Sequence, residues 1–170
     1  GLGQLGAQLA QHLQSYGFDV AGWSQNKKQL QGVSSYAGAE ELEGFLKRTD
    51  ALCCLLPLTA DTQGILNRRN MSQLPKGSIV INAGRGQHLV VDDLLELLDE
   101  NYLRGAVIDV FEQEPLPKEH QLWQHPKVMM TPHSSAQSEY TPCVEKIGNT
   151  LQAIIDNKNP SGLVDRCKGY

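Results

Sequence analysis

The chain has 170 residues, which is enough for one domain with a substantial core. Its formal net charge of −4 at pH 7 argues against a surface that binds nucleic acid or an anionic membrane. No apolar run in the sequence is long enough to cross a bilayer. Two of the four cysteines are adjacent in an apolar run and no Cys-x-x-Cys pair occurs, which argues against a metal site. This cysteine usage is typical of a reducing compartment, so we expect a cytoplasmic protein.

The chain opens on a glycine-rich turn, Gly1-Leu2-Gly3-Gln4-Leu5-Gly6. In such a turn the first glycine allows a sharp bend, the second lets the backbone approach a pyrophosphate, and the third lets the following helix pack closely. The anion then meets the free N–H groups at the start of the helix. The opening therefore predicts a dinucleotide site. Because the strand that usually precedes this turn and an initiator Met are both missing, we expect the sequence to be part of a longer protein.

Helical and strand patterns alternate through the first part of the chain. Apolar residues at helical spacing predict a helix over Gln4–Tyr16, and Phe18–Trp23 then has the pattern of a strand. A short helix is predicted over Glu40–Arg48. The continuous apolar run over Ala51–Leu56 predicts the next strand.

The alternation continues in the second part. Ile79–Ile81 is predicted to be a strand, and Val91–Tyr102 an amphipathic helix in which Asp93 and Glu96 have the spacing of a capping box. The remaining predicted elements are strands over Ala106–Ile108 and Val128–Met130, a longer helix over Ala136–Ile155 and a polar tail over 156–170. Met129 and Met130 are expected to lie in the core.

Apolar strands separated by helices are typical of a parallel sheet that is covered on both faces. We therefore predict an α/β fold, a Rossmann-like doubly wound parallel sheet without its first strand. Residues 1–135 are predicted to form the dinucleotide-binding domain, and 136–170 a carboxyl-terminal helix and tail. Ligands of such sheets bind at the carboxyl ends of the strands. Polar segments follow four of the predicted strands there: Pro57–Thr62, Arg85, Asp109 and His133.

Three segments carry the chemical pattern: Asn82-Ala83-Gly84-Arg85-Gly86, Asp109-Val110-Phe111-Glu112-Gln113-Glu114-Pro115, and Thr131-Pro132-His133-Ser134-Ser135-Ala136. With them, the sequence resembles the D-isomer-specific 2-hydroxyacid dehydrogenases, and within that family the type A glyoxylate/hydroxypyruvate reductases. The resemblance runs from Gly1 to the ending Val164-Asp165-Arg166-Cys167-Lys168-Gly169-Tyr170. It implies that the family's amino-terminal substrate domain is absent from this sequence, and that the tail returns to that domain.

The resemblance implies a catalytic set of Arg85, Glu114 and His133, and each role makes chemical sense. The planar guanidinium of Arg85 can bind an α-keto carboxylate through two parallel hydrogen bonds. His133 can donate a proton to the ketone oxygen as hydride arrives from the nicotinamide. Glu114 would pair with that imidazole and hold its orientation. The alternatives are a surface arginine at a turn, a loop histidine and a solvated glutamate.

The resemblance also implies the cofactor contacts. The opening turn, with Gly1, Gly3 and Gly6 and the intervening Leu2, Gln4 and Leu5, would surround the pyrophosphate. Loop Leu56-Pro57-Leu58-Thr59 would cover the adenosine side, with Thr62 as a neighbour. Ala83, next to Gly84, and Asp109 match positions that hold the nicotinamide carboxamide. Asp109 could instead cap the next turn.

The choice of cofactor depends on the end of the second strand. An NAD-preferring site has an acid there that accepts hydrogen bonds from the ribose hydroxyls. Here Ser24 and Gln25 occupy that place, followed by Asn26, Lys27 and Lys28. Two cations and no carboxylate favour NADPH, with NADH possible. The alternative is that these residues form a solvated polar turn. Lysine binds phosphate as a point charge, without the paired donors of arginine, so the discrimination between NADPH and NADH is expected to be modest.

The resemblance implies a homodimeric enzyme that reduces glyoxylate to glycolate, or hydroxypyruvate to D-glycerate, and together with the residues after the second strand it favours NADPH as the cofactor. Two alternatives stay open: a dehydrogenase for phosphoglycerate or another 2-hydroxyacid, and a non-catalytic protein that senses nucleotide. We expect little or no turnover from this stretch alone, because it lacks the substrate domain.

Overall fold

The computed structural model describes residues 1–136 and 140–164. It divides into two compact units, Gly1–His133 and Ser134–Tyr170. Within the described residues, no helix is long and apolar enough to span a membrane.

The helices follow the predicted pattern with small differences at their ends. The first unit contains α1 (Gln4–Ser15), α2 (Gly38–Lys47), α3 (Arg68–Met71) and α4 (Val91–Asp99), with short 3₁₀ turns at Gly86–His88 and Gln121–Gln124. The four-residue α3 was not predicted, because it is too short to show a helical period. The second unit contains α5 (Tyr140–Ile155). The predicted helical residues 137–139 and the tail residues 165–170 lie outside the described part of the chain.

Six short strands form in the first unit: β1 (Val20–Ser24), β2 (Val33–Ala37), β3 (Ala51–Cys54), β4 (Ile79–Asn82), β5 (Gly105–Ile108) and β6 (Val128–Met130). The five predicted strands are confirmed, although β1 begins two residues later and β3 ends two residues earlier than expected. β2 was missed. Its sequence is partly polar and none of its residues is fully buried, so it has no continuous apolar run. Its register comes from parallel pairing with β1.

The strands form two parallel sheets rather than one. β1 pairs with β2, and the second sheet has the order β3-β4-β5-β6. In the doubly wound order 3-2-1-4-5-6, the first strand lies between the second and the fourth. β1 and β3 correspond to the second and fourth strands, so the sheet is interrupted where the expected but absent first strand would lie.

The core of the first unit is one hydrophobic cluster that extends from β1 and α2 to the second sheet. Met71, Val80, Leu94, Leu98 and Ile108 are almost completely buried and belong to one hydrophobic cluster. This packing joins α3 and α4 to β4 and β5. It therefore gives a rigid base to the loops at the carboxyl ends of these strands.

Two local predictions were wrong. Asp93 and Glu96 do not form a capping box on α4: Asp93 accepts a hydrogen bond from the Arg68 N–H at 2.7 Å, and Glu96 pairs with the Arg68 guanidinium at 2.7 Å. Met129, expected in the core, is 66% exposed. β6 is the edge strand, and only its alternate residues pack against the cluster.

Candidate active site

The three predicted catalytic residues lie at one edge of the second sheet. Arg85 follows β4, Glu114 lies in the loop that follows β5, and His133 follows β6. These strands are parallel neighbours, so their carboxyl ends point to the same side. Adjacent strands lie about 4.8 Å apart, which puts the ends of β4 and β6 about 10 Å apart.

A close backbone contact joins the Arg85 turn to the loop that carries Glu114. A Cβ added to Gly86 would lie 1.9 Å from the carbonyl carbon of Phe111 and 2.2 Å from the Glu112 nitrogen. Only a glycine fits here, because any side chain would meet backbone that cannot rotate away. Gly86 therefore sets the spacing between the turn after β4 and the loop after β5.

His133 and Glu114 form an ion pair, with His133 Nδ1 2.9 Å from Glu114 Oε2. The other carboxylate oxygen, Oε1, accepts a hydrogen bond from the Phe111 N–H at 2.9 Å. These two hydrogen bonds, first the one from His133 and then the one from Phe111, lower the pKa of the Glu114 carboxyl. The carboxylate therefore stays charged beside the imidazole, and both of its oxygens are engaged.

The His133 backbone adopts a left-handed conformation with φ of +52°. Its N–H donates to the carbonyl oxygen of Asp109 at 2.9 Å, which ties the residue to the end of β5. The Asp109 side chain is buried and accepts a hydrogen bond from the Thr131 hydroxyl at 2.5 Å. His133 and Asp109 are thus held together by backbone and side-chain contacts within two loops.

The Arg85 backbone is held on both sides by buried side chains. Its N–H donates to His88 Nδ1 at 3.0 Å, and its carbonyl accepts a hydrogen bond from Asn82 Nδ2 at 3.0 Å. The side chain is exposed, and Nη1 donates to the Gly84 carbonyl at 2.7 Å. The guanidinium is therefore carried by a fixed turn, while its outer face is open to solvent.

The side chains of this set are accessible. The His133 side chain is 52% exposed and that of Glu114 37%. A cavity of about 380 Å³ opens behind the Arg85 turn, lined by residues that include Gly86, Phe111 and Leu122, but the catalytic set does not line it. The first unit by itself therefore forms one side of an open site rather than an enclosed cleft.

The glycine-rich turn has the geometry expected of an anion site. Gly3 precedes α1, a Cβ placed on it would meet open space, and no side chain from the described residues caps the helix. A Cβ on Gly6 would lie 1.8 Å from the Gly1 carbonyl oxygen, and one on Gly1 would lie 2.6 Å from the Leu55 oxygen. Leu2 is buried and packs against Gly22 of β1, so only its backbone can face a ligand. Gln4 and Leu5 are exposed in the first helical turn.

The loop after β3 is a self-contained turn. The Thr62 hydroxyl is buried, donates to the Pro57 carbonyl at 2.7 Å and accepts a hydrogen bond from the Thr59 N–H at 2.8 Å. Thr62 thus organises the loop, while Leu56 is half-buried and packs against the core cluster. Ala83 lies across from this loop and donates its N–H to the Cys54 carbonyl at 3.2 Å.

At the end of β1, part of the predicted phosphate-binding group is already engaged. Ser24 is buried and donates to the Asn26 carbonyl at 2.7 Å, whereas Gln25 is exposed. Lys27 forms an ion pair with Glu41 at 3.1 Å. A phosphate at this position would have to compete with Glu41 for Lys27.

From the sequence, His88 is close to Arg85 but is expected to be a loop histidine; the structure instead buries its side chain completely between the Arg85 turn and the Pro57 loop. The only available signal was its position three residues after Arg85. In the described residues, no group of three or more His, Cys, Asp or Glu side chains could hold a metal ion.

Known proteins share both the sequence and the fold. A glyoxylate/hydroxypyruvate reductase A from Salmonella paratyphi B is 46% identical over all 170 residues, which are 54% of the relative's length. The chain therefore spans about half the length of the curated relatives it matches. An NADPH-dependent glyoxylate/hydroxypyruvate reductase from Sinorhizobium meliloti, solved with NADP and sulfate, has a TM-score of 0.94 at 40% identity over the whole of this chain and 55% of that one.

A D-isomer specific 2-hydroxyacid dehydrogenase from Xanthobacter autotrophicus Py2, solved with NADPH and MES, has a TM-score of 0.96 at 37% identity over the whole of this chain and 70% of that one. Residues 1–135 match the family described as D-isomer specific 2-hydroxyacid dehydrogenase, NAD binding domain. The chain thus belongs to the D-isomer-specific 2-hydroxyacid dehydrogenase family and contains that family's NAD-binding domain.

Proposed function

We propose that the protein containing this chain reduces a small 2-oxo acid with NADPH, converting glyoxylate to glycolate or hydroxypyruvate to D-glycerate. The observation that carries the proposal is the His133–Glu114 ion pair at the same sheet edge as Arg85. The names of the Salmonella and Sinorhizobium relatives support the substrate class.

Arg85 is the group that binds the substrate carboxylate. Its Nη1 now donates to a neutral backbone carbonyl, that of Gly84. A carboxylate forms shorter and stronger hydrogen bonds with guanidinium than a neutral oxygen does, and it can accept two in parallel. The substrate therefore replaces an internal contact with a stronger external one, and the fixed Arg85 turn places the adjacent ketone.

His133 is the proton donor. Because Glu114 accepts from Nδ1, that nitrogen carries a hydrogen, and the second ring nitrogen, Nε2, is the one left to face the substrate. The imidazolium gives its Nε2 proton to the ketone oxygen and becomes neutral, with Nδ1–H still held by Glu114. In the reverse direction the neutral ring takes the hydroxyl proton back. When NADPH is bound, it supplies the hydride.

The residues present fit a dinucleotide. The first turn of α1 and the open space at Gly3 suit the pyrophosphate. The loop over Leu56–Thr62 would cover the adenosine side, and the Ala83 carbonyl with Asp109 would hold the carboxamide. Gln25, Lys27 and Lys28 would bind the 2′-phosphate, and Lys27 would have to leave its ion pair with Glu41 to do so. NADH is a second, weaker substrate in this scheme.

A steady-state assay of the full-length protein tests the proposal. We expect nucleotide oxidation with glyoxylate and hydroxypyruvate, faster with NADPH than with NADH. Preference for phosphoglycerate oxidation would replace the substrate assignment. Tight nucleotide binding without turnover of any 2-oxo acid would refute the enzyme and favour a nucleotide sensor.

Three further expectations belong to the same proposal. Residues 1–170 alone are expected to show little turnover, since Arg85 and His133 are exposed rather than enclosed; activity equal to that of the full-length protein would contradict this. We also propose that the protein is a homodimer, which light scattering would test, and that it is cytoplasmic, which cell fractionation would test.

A further inference from the structure

One buried titratable group is not used by the proposed chemistry. His88 has 0% exposure and lies between the Arg85 turn and the loop after β3. Its Nδ1 is 3.0 Å from the Arg85 nitrogen and its Nε2 is 3.2 Å from the Pro57 oxygen. The imidazole therefore contacts the proposed substrate-binding turn with one nitrogen and the proposed nucleotide-covering loop with the other.

These two contacts determine the tautomer. The Arg85 N–H is a donor, so Nδ1 has to accept; the Pro57 carbonyl is an acceptor, so Nε2 has to donate. Only the neutral ring with hydrogen on Nε2 satisfies both. Protonation would place a hydrogen on Nδ1, facing the Arg85 N–H. The Arg85 guanidinium also opposes a positive charge on the ring.

The surroundings of His88 leave little room for another arrangement. A Cβ on Gly84 would lie 2.9 Å from His88 Nδ1 and 3.2 Å from the Leu56 oxygen, so the glycine lets ring, turn and loop meet. The Pro57 carbonyl also accepts the Thr62 hydroxyl at 2.7 Å, which connects His88 to the organising residue of the loop. On the other side, buried Asn82 holds the Arg85 carbonyl.

We propose that His88 is a positioning residue that joins the two loops, holding Arg85 for the 2-oxo acid through Nδ1 and holding the Pro57 loop for the nucleotide through Nε2–H. This inference rests on the proposed function for the roles of the two loops. It predicts that Nδ1 affects binding of the 2-oxo acid, that Nε2–H affects binding of the nucleotide, and that substitutions can remove one effect without the other.

Two amides divide the ring in this way. The amide of His88→Asn overlies the Nδ1 edge, so its oxygen can accept the Arg85 N–H, but it cannot reach Pro57. The longer side chain of His88→Gln places its NH₂ group near the Nε2 position, where it can donate to the Pro57 carbonyl, but leaves the Arg85 N–H unpaired. An unsatisfied buried donor is costly, so each lost contact is expected to change one ligand parameter about tenfold.

The test is a crossed comparison in the full-length protein. We expect His88→Asn to weaken NADPH binding about tenfold with little change in KM for the 2-oxo acid, and His88→Gln to raise that KM about tenfold with little change in NADPH affinity. His88→Leu removes both contacts, so it is expected to weaken NADPH binding and to raise KM for the 2-oxo acid. His12→Gln, at an exposed position on α1, is the control and leaves both unchanged. The proposal would be overturned if the Asn and Gln variants changed NADPH affinity and KM equally, or if neither variant changed them. A residue with only a structural role would not separate these two parameters.

A second measurement does not depend on turnover. Nitrogen NMR of protein with labelled histidine is expected to show that His88 is neutral and carries its hydrogen on Nε2. This signal should persist in His12→Gln and be absent in His88→Leu. A protonated ring or hydrogen on Nδ1 would overturn the inference. If the wild-type protein reduces no 2-oxo acid, the proposed function fails, and the tautomer and the NADPH affinities of the variants still decide whether His88 joins the two loops.

Discussion

The contact at Gly86 gives the most demanding prediction. In Gly86→Ala, the new Cβ would lie 1.9 Å from the Phe111 carbonyl carbon, whereas ordinary contact begins near 3.4 Å. The Arg85 turn and the Phe111 loop therefore have to separate by about 1.5 Å, the difference between these two distances. All three nearest atoms are backbone, so no side-chain rotation can relieve the clash.

The expected consequences are both energetic and catalytic. Overpacking of this kind costs about 1–3 kcal/mol of unfolding free energy. A displacement of about 1 Å in a catalytic arrangement can cost about a hundredfold in rate, so kcat/KM for the 2-oxo acid should fall at least that far. NADPH affinity should change less, because the proposed pyrophosphate site lies at the start of α1 and not in either displaced loop.

Urea unfolding and steady-state kinetics measure the two effects. The matched control is Gly44→Ala on α2, where the Cβ would lie 3.9 Å from Tyr36, an ordinary contact. This control should be neutral or more stable by about 0.5–1 kcal/mol, since alanine favours helix. If Gly86→Ala unfolds like the wild type and keeps its kcat/KM, the positions of the two loops do not depend on the contact at Gly86.

Three other predictions concern the same site. Arg85→Lys loses the two parallel donors of the guanidinium, so KM for the 2-oxo acid should rise about 10- to 100-fold while NADPH affinity stays unchanged. An unchanged KM would exclude Arg85 as the carboxylate ligand. Glu114→Gln keeps the shape of the side chain but not the charge that pairs with His133, so kcat should fall about 10- to 100-fold, less than the loss of about 10²–10⁴ expected when the acid itself is removed in His133→Asn. Equal kcat values for wild type and Glu114→Gln would contradict this. Burial lowers the pKa of His88, so the stability from its neutral ring is complete above about pH 6.5 and declines as pH falls through the folded-state pKa. The melting-temperature advantage of wild type over His88→Leu should shrink on acidification, and a growing advantage would contradict the sign.

Much of the fold was predictable because its signals are local. Apolar periodicity identified α1, α2, α4 and five strands, and the glycine-rich opening predicted an anion site at the start of α1. β2 could not be found in this way, because Val33–Ala37 carries serines and forms by pairing with β1. Likewise, Asp93 has the right spacing for a helix cap, but its carboxylate accepts a hydrogen bond from the Arg68 N–H of α3 instead. The sequence of α4 alone does not indicate this contact.

For the site, the residue types in the three segments after β4, β5 and β6 already indicated the candidate catalytic side chains. The sequence by itself determined the chemical repertoire, because a guanidinium, a carboxylate and an imidazole have the same properties wherever they lie. Only the tertiary structure decided that Gly86 packs on Phe111, that Glu114 reaches His133, and that His88 is sealed between two loops. These contacts join residues that are far apart along the chain, and strand order and close packing, rather than any local period, bring them together.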